Sequence, residues 1–327
     1  MSVLVTGGAG YIGSVTVNCL LARGTSVVVL DDLYRGHRSN LKSSVPFYQG
    51  RVGDRNLVAT IVREHCVESC LHFAALAYVE ESVREPRRYF ENNLEQGIAL
   101  IGTLLEENVR KIVFSSTCAT YGDVLTTPIR EDTSQWPKNP YGWSKLMMEQ
   151  ILSAYGQSHA LRYIALRYFN AAGATDALGE CHDPEPHLIP RVLLSALGTT
   201  NGLTVFGHDY PTPDGTAVRD YVHVADLAYA HILALDYLTQ GGDSGCFNLG
   251  TGQGHSVLQV IEAARIVTGC ELPFLAKERR AGDAATLVAD SSKAKAVLGW
   301  EPKYSDLSTI LKSQWVWMQR STEHGRR

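Results

Sequence analysis

The run Val3-Leu4-Val5-Thr6-Gly7-Gly8-Ala9-Gly10-Tyr11-Ile12-Gly13 constrains this chain more than any other stretch. Three apolar residues, two of them β-branched, predict a buried strand. A glycine turn follows, and from Tyr11 to Arg23 the pattern becomes helical. Strand, glycine turn and helix in that order form the context in which glycine spacing signals a dinucleotide site. One glycine permits the sharp turn, one lets the backbone approach a pyrophosphate, and one lets helix pack on strand. The unpaired N–H groups at the helix start then face phosphate charge. Two registers fit, Gly8-x-Gly10-x-x-Gly13 and Gly7-x-x-Gly10-x-x-Gly13.

The second half of the fingerprint follows. Ser26 to Leu30 is another continuous apolar strand, and Asp31 ends it, 18 residues after Gly13. An acid about 20 residues beyond the glycines is suited to the adenosine ribose hydroxyls. A carboxylate there repels a 2′-phosphate, so NAD is favoured over NADP, although Arg35 and Arg38 stand nearby as possible phosphate partners. A third strand near Val45–Tyr48 leads to Asp54, which has two uses open to it: the adenine amine or a turn.

Strands then alternate with helices: helix Asn56–His65, strand Glu68–Phe73, long helix Pro86–Glu107, strand from Lys111 into Thr117, helix from Pro140, and strand Arg162–Tyr168. That alternation predicts an α/β, Rossmann-type doubly wound parallel sheet, with ligands at the carboxyl ends of the strands. After residue 170 the rhythm breaks among Pro184, Pro186, Pro190, Pro211 and Pro213. We therefore expect an NAD-binding domain over residues 1–170 and a smaller mixed α/β substrate lobe over 171–327, with part of 219–250 packing back on the first domain.

Among the 327 residues the net charge is −4, which recommends neither nucleic acid nor a membrane surface as partner. No apolar run approaches the ~18 residues of a membrane span and no signal peptide is evident, so a cytoplasmic location is expected. The seven cysteines are scattered and lack a Cys-x-x-Cys pair, and the eleven histidines lack His-x-x-x-His, so no metal site is expected.

The chemistry points to Thr117, Tyr141 and Lys145. Tyr141 and Lys145 are four apart and share one helical face. A free tyrosine, with a pKa near ~10, is a weak base at neutral pH. A nearby ammonium and the positive nicotinamide of oxidised NAD both favour the phenolate. Tyr141 would then take a substrate hydroxyl proton while the carbon loses hydride, with Thr117 bonded to the same oxygen.

These residues are joined by His72-Phe73-Ala74, Asn92-Asn93, Pro140-Tyr141-Gly142-x-Ser144-Lys145, Leu166-Arg167-Tyr168-Phe169-Asn170, Phe206 to Tyr221, and Arg280-x-Gly282-Asp283. On these motifs the chain resembles the extended short-chain dehydrogenases/reductases, and within them the UDP-glucose 4-epimerase family, nearly end to end. The Phe206–Tyr221 block is the part most specific to that branch. The resemblance implies a held NAD that is reduced and reoxidised in each turnover, a UDP-hexose epimerised at C4, and a homodimer pairing the Pro86–Glu107 and Tyr141–Tyr155 helices. Leu146, Met147, Ile151 and Leu152 offer apolar surface for that pairing, or for core packing. For the cofactor it implies Gly7, Gly10, Tyr11, Ile12, Gly13, Asp31, Asp32, Asp54, Phe73, Ala74, Ala75, Asn92, Thr117, Tyr141, Lys145 and Phe169. For the UDP-sugar it implies Thr117, Tyr141, Asn170, His187, Leu188, Phe206, Arg219, Arg280, Asp283 and Leu287.

Three departures matter. Thr117 stands where many of the family carry serine, Ala77 where lysine is common, and Leu287 where a tyrosine narrows the sugar pocket. Cys118-Ala119 replaces the acid pair that dehydratases of this fold place after the threonine. Epimerases of UDP-N-acetylglucosamine, UDP-xylose or UDP-glucuronate share the same framework. A simple dehydrogenase and an NAD-sensing scaffold are the rivals of other classes.

Overall fold

The computed structural model describes residues 2–124, 126–200, 202–280 and 283–323; Gly282 lies outside them. The elements run β1 (Ser2–Thr6), α1 (Tyr11–Ala22), β2 (Ser26–Asp31), β3 (Phe47–Gln49), α2 (Arg55–His65), β4 (Val67–His72), α3 (Val79–Arg84), α4 (Pro86–Tyr89), α5 (Gln96–Glu106), β5 (Lys111–Thr117), α6 (Pro140–His159), β6 (Arg162–Tyr168) and β7 (Asn170–Ala172). They continue with α7 (Leu188–Ala196), β8 (Leu203–Phe206), β9 (Val218–His223), α8 (Val224–Thr239), β10 (Gly245–Leu249), β11 (Gly254–Ser256), α9 (Val257–Thr268), β12 (Phe274–Lys277), β13 (Thr286–Leu287) and α10 (Leu307–Glu323).

Seven strands form the main sheet in the order β10-β6-β5-β4-β1-β2-β3, and every pairing in it is parallel. Buried on both faces, these strands are continuous apolar runs rather than alternating ones: all five β1 residues are buried. One face packs on α1 and α8 through Val17, Leu20, Leu227 and Leu235, the other on α2, α5 and α6 through Ile61, Leu104 and Leu152. The seventh strand comes from beyond residue 170, since α8 and β10 return the chain to the edge of β6. The remaining segments make a second body in which β7, β9, β11 and β13 form a small sheet and β8 pairs with β12. Its core is Ile189, Leu193, Val205, Val260, Leu272 and Ile310. The helix α9 starts on a capping box between Ser256 and Gln259.

The helix expected over Pro86–Glu107 is interrupted. Residues Phe90–Glu95 form a π-helical turn between α4 and α5. The widened turn carries Asn93, whose amide accepts from Leu76 N at 2.8 Å and donates to Leu76 O at 2.9 Å and Ser144 Oγ at 3.0 Å. One side chain thus ties the loop after β4 to α6. Such π turns concentrate at functional sites. Of the four apolar residues offered for helix pairing, Leu146 and Leu152 are buried within the chain, while Met147 and Ile151 are only half-buried.

Candidate active site

A cavity of about 720 Å³ runs along the carboxyl ends of the main sheet and under the second body. The residues expected at a cofactor line it: Gly7, Gly10, Tyr11, Ile12, Gly13, Asp31, Asp32, Phe73, Ala74, Ala75, Asn92 and Phe169. So do Thr117, Tyr141 and Lys145, and so do Asn170, His187, Leu188, Phe206, Arg219, Arg280, Asp283 and Leu287. Asp54 does not. It is exposed, and its carboxylate accepts from Leu57 N at 3.1 Å as the N-cap of α2. The turn use wins because a helix start needs an acceptor there, and Gly50, Arg51 and Val52 line the cavity instead.

The glycine turn is shaped for close approach. Gly7 has φ +70°, and a Cβ on it would lie 2.5 Å from Ala74 N. A Cβ on Gly13 would lie 2.3 Å from Gly7 O, so helix start and turn touch backbone to backbone. Gly8 is instead pressed against the Val29 side chain on the far side of the turn. This selects the Gly7-x-x-Gly10-x-x-Gly13 register. At the end of β2, Asp31 accepts from Ala9 N at 2.9 Å on one oxygen and from Leu33 N at 2.8 Å on the other. Burial raises its pKa, and those two backbone donors hold it back toward the ionised form. Each oxygen keeps a lone pair for a ribose hydroxyl. The cradle and the carboxylate therefore fit the two ends of an adenosine diphosphate moiety. The Tyr11 hydroxyl is engaged elsewhere, donating to Gly173 O, so only its ring faces the cavity.

Thr117 ends β5, and α6 begins beside it. Asn139 caps that helix through Gly142 N at 2.8 Å, with Pro140 in its first turn. A Cβ on Gly142 would fall 2.5 Å from Ala119 O, so only a glycine lets the helix start this close to the strand end. Tyr141 and Thr117 are thereby brought to the same part of the cavity wall, near enough for the threonine hydroxyl to favour the phenolate. One turn on, Lys145 is buried, and its Nζ donates to Ser115 O at 2.7 Å, 4.8 Å from the centre of the Phe114 ring. Burial pushes the Tyr141 phenol up to about 12, with the Thr117 hydroxyl opposing it. Burial likewise pulls Lys145 down to about 7, with Glu149 opposing. The acid phenol expected from the spacing is thus not a property of these side chains alone: desolvation dominates at both groups, and the ammonium is directed at a carbonyl. A further turn along α6, Glu149 is buried against Arg167 at 2.6 Å. Arg167 also donates to Tyr121, and Tyr121 to Asn248 on β10.

The opposite end is made of side chains on the second body. Arg280 Nε donates to Asp283 at 3.1 Å, and Arg219 lies 3.8 Å from the same carboxylate. The Arg280 guanidinium covers the Phe206 ring at 5.0 Å. Leu287 on β13 is paired with Arg219 on β9. Asn170 donates to Asp220 O at 3.1 Å. Two guanidinium forks and an aromatic face suit a diphosphate carrying a base. Sequence reasoning opened a helix at Asn139-Pro140 and placed Asn93 within the Asn92-Asn93 motif, but gave neither side chain a role in the site. An asparagine ahead of a proline at a helix start signals the first; nothing in the helical spacing signals the second. It also missed that Glu180, His182 and Glu185 join His187 in the cavity wall.

Similarity to known proteins agrees with this geometry. The model of the NAD dependent epimerase/dehydratase family matches residues 3–250. The UDP-glucose 4-epimerase of Lacticaseibacillus casei is 48% identical over 99% of this chain and 98% of that protein. That of Halalkalibacterium halodurans is 49% identical over 99% and 97%. Among solved structures, UDP-glucose 4-epimerase from Brucella ovis in complex with NAD superposes with a TM-score of 0.93 at 43% identity, covering 96% of this chain and 97% of that one. With its fold and cavity as described, the chain belongs to the NAD-dependent epimerase/dehydratase family and, within it, to the UDP-glucose 4-epimerases, which are isomerases.

Proposed function

We propose that the chain interconverts UDP-glucose and UDP-galactose by oxidising C4, letting the 4-keto sugar turn over, and reducing it from the other face. The observation that carries this reading is the meeting of three features in one cavity: the glycine cradle, the Thr117–Tyr141–Lys145 cluster and the two-arginine end. Gly7–Gly13, Asp31, Phe73–Ala75 and Lys145 would hold NAD, which when bound would supply the acceptor and later the donor of the C4 hydride. Tyr141 takes the proton of the C4 hydroxyl and gives it back, and Thr117 fixes that oxygen within hydrogen-bond reach of the phenol. Lys145, whose pKa burial pulls down with Glu149 opposing, carries the compensating cation when Tyr141 is ionised. Arg219, Arg280, Asn170, Leu188 and Phe206 hold the UDP part, which leaves the hexose free to rotate while the nucleotide stays fixed.

The deciding experiment is incubation with UDP-galactose without added nicotinamide, followed by separation of the nucleotide sugars. UDP-glucose should accumulate to an equilibrium mixture with no NADH released; a purified, NAD-loaded protein that leaves UDP-galactose unchanged ends the reading. A second reading rests on Leu287, a residue smaller than tyrosine on the cavity wall: N-acetylated UDP-hexosamines are also accepted. Absence of any turnover of UDP-N-acetylglucosamine would sink it.

We further read residues 1–170 with α8 and β10 as the NAD-binding part and the remainder as the UDP-sugar part. Half-buried Met147 and Ile151 on α6 and exposed Ile98 on α5 support a homodimer through these two helices. The seven cysteines, all free, support a reducing, cytoplasmic location.

A further inference from the structure

We propose that Glu180, His182, Glu185 and His187 form a binding site for one borderline transition-metal dication, with Zn²⁺ as its representative, in the wall of the cofactor cavity. Each of the four offers one ligand atom, and those atoms all lie within 4.8 Å of one another. Four donors around zinc at ~2.0–2.2 Å stand about 3.3–3.6 Å apart at the tetrahedral angle, so the widest pair closes by about 1 Å on binding, within the reach of side-chain rotation. Two imidazoles and two carboxylates select a zinc-like ion over Mg²⁺ or Ca²⁺, which take oxygen ligands.

Within the cluster, His182 Nδ1 pairs with a Glu180 carboxylate oxygen at 2.7 Å, and the alignment falls short of a hydrogen bond although the nitrogen itself is shielded from solvent. His187 Nδ1 lies 2.7 Å from Glu185 and 3.9 Å from Glu180, so it borders the same carboxylate.

The surroundings hold the cluster rigidly. Arg35 donates to Asp183 O, and Tyr78 donates to Pro184 O at 2.9 Å. The Tyr78 ring meets both histidine rings edge-on, at 5.5 and 6.0 Å. Charge supplies the reason for a cation. Burial, with Glu180 and Glu185 adding to it, disfavours ionisation of Tyr11, the first residue of α1. Both carboxylates line the cavity with the helix start, where an anionic pyrophosphate is expected. A dication on the four side chains neutralises both carboxylates and fixes residues 180–187, which lead directly into α7 and Leu188.

The full-length protein, stripped with a chelator and dialysed, should take up one equivalent of Zn²⁺ per chain by titration calorimetry, with a rise in Tm. Co²⁺ should give the intense visible absorption of a four-coordinate site, bleached by one equivalent of Zn²⁺. His182→Ala and Glu185→Gln should each weaken Zn²⁺ binding at least tenfold, and the circular dichroism of the metal-free variants should match the parent. The Co²⁺ spectrum needs no variant, so a misfolded substitution does not rescue the idea. Uptake below one equivalent, a weak six-coordinate Co²⁺ spectrum, or unchanged binding in a folded His182→Ala protein overturns the proposal and leaves two histidine–carboxylate contacts.

Discussion

The two ends of the cavity are built by different means. The dinucleotide end is made of backbone: Gly7 against Ala74 N, Gly13 against Gly7 O, and Asp31 held by two main-chain donors. The sugar-nucleotide end is made of long side chains, with Arg219 and Arg280 sharing Asp283 and Arg280 half open to solvent. Backbone surfaces cannot adapt, because a one-atom addition collides with main chain. Side-chain pairs can re-form around a different ligand. The first end therefore decides whether any turnover occurs, and the second decides on what.

The largest effect should come from Gly13→Ala. Its Cβ would sit 2.3 Å from Gly7 O, so a purified variant should retain no NAD on release and fluorescence assay and show no activity. Tyr141→Phe, at the seam of the two ends, should keep NAD and bind UDP while kcat falls by about 10²–10⁴-fold, read by coupled UDP-glucose assay. A retained kcat would remove the phenol from the chemistry.

Lys145 offers a pH test. Its pKa falls from 10.5 to about 7 on folding, so between those values the unfolded chain binds more protons than the folded one. Its burial therefore lowers stability progressively as pH falls from about 10 to 7, and the deficit is constant below that. Relative to Lys145→Met, the parent should lose about 4 kcal/mol between pH 10 and pH 7 in denaturant titrations. The bond to Ser115 O, lost at every pH, cancels from this difference. A gap that does not change with pH would mean that the ammonium is solvated.

At the adaptable end the effects shrink. Arg219→Ala should raise KM for UDP-galactose about 10–100-fold, the range of a lost charged hydrogen bond or two, with kcat within a few-fold. Leu287→Tyr should be smallest, lowering any turnover of UDP-N-acetylglucosamine relative to UDP-glucose by about tenfold without affecting NAD. Were Arg219→Ala to abolish NAD retention, the division between the ends would fail.

The same contrast explains what the sequence made readable. Strand, turn and helix at Val3–Gly13 report local backbone geometry, and local geometry is what spacing encodes. Asp31 and Asp54 show the limit. Both come at or shortly after the end of an apolar strand, but only Asp31 is enclosed by neighbouring backbone, while Asp54 is taken by the start of α2. The π turn at Phe90–Glu95 was illegible because it exists to bring Asn93 to Leu76, a tertiary contact that overrides a regular helical period. The cluster at residues 180–187 was hidden for a similar reason. His182 and His187 are five apart and sit on a proline-broken loop, so no helical or strand rule predicts that their rings meet.

The placement of β10 sets an order on the life of the chain. Synthesis delivers β1 to β6 first, and at that moment the β6 edge has no neighbour. Its partner, Gly245–Leu249, is made only after β7, α7, β8, β9 and α8. An unpaired hydrophobic edge invites strands from other chains. A nascent chain halted between residues 170 and 245 should thus be the aggregation-prone species, and a fragment ending at 170 should be insoluble rather than a small folded cofactor binder.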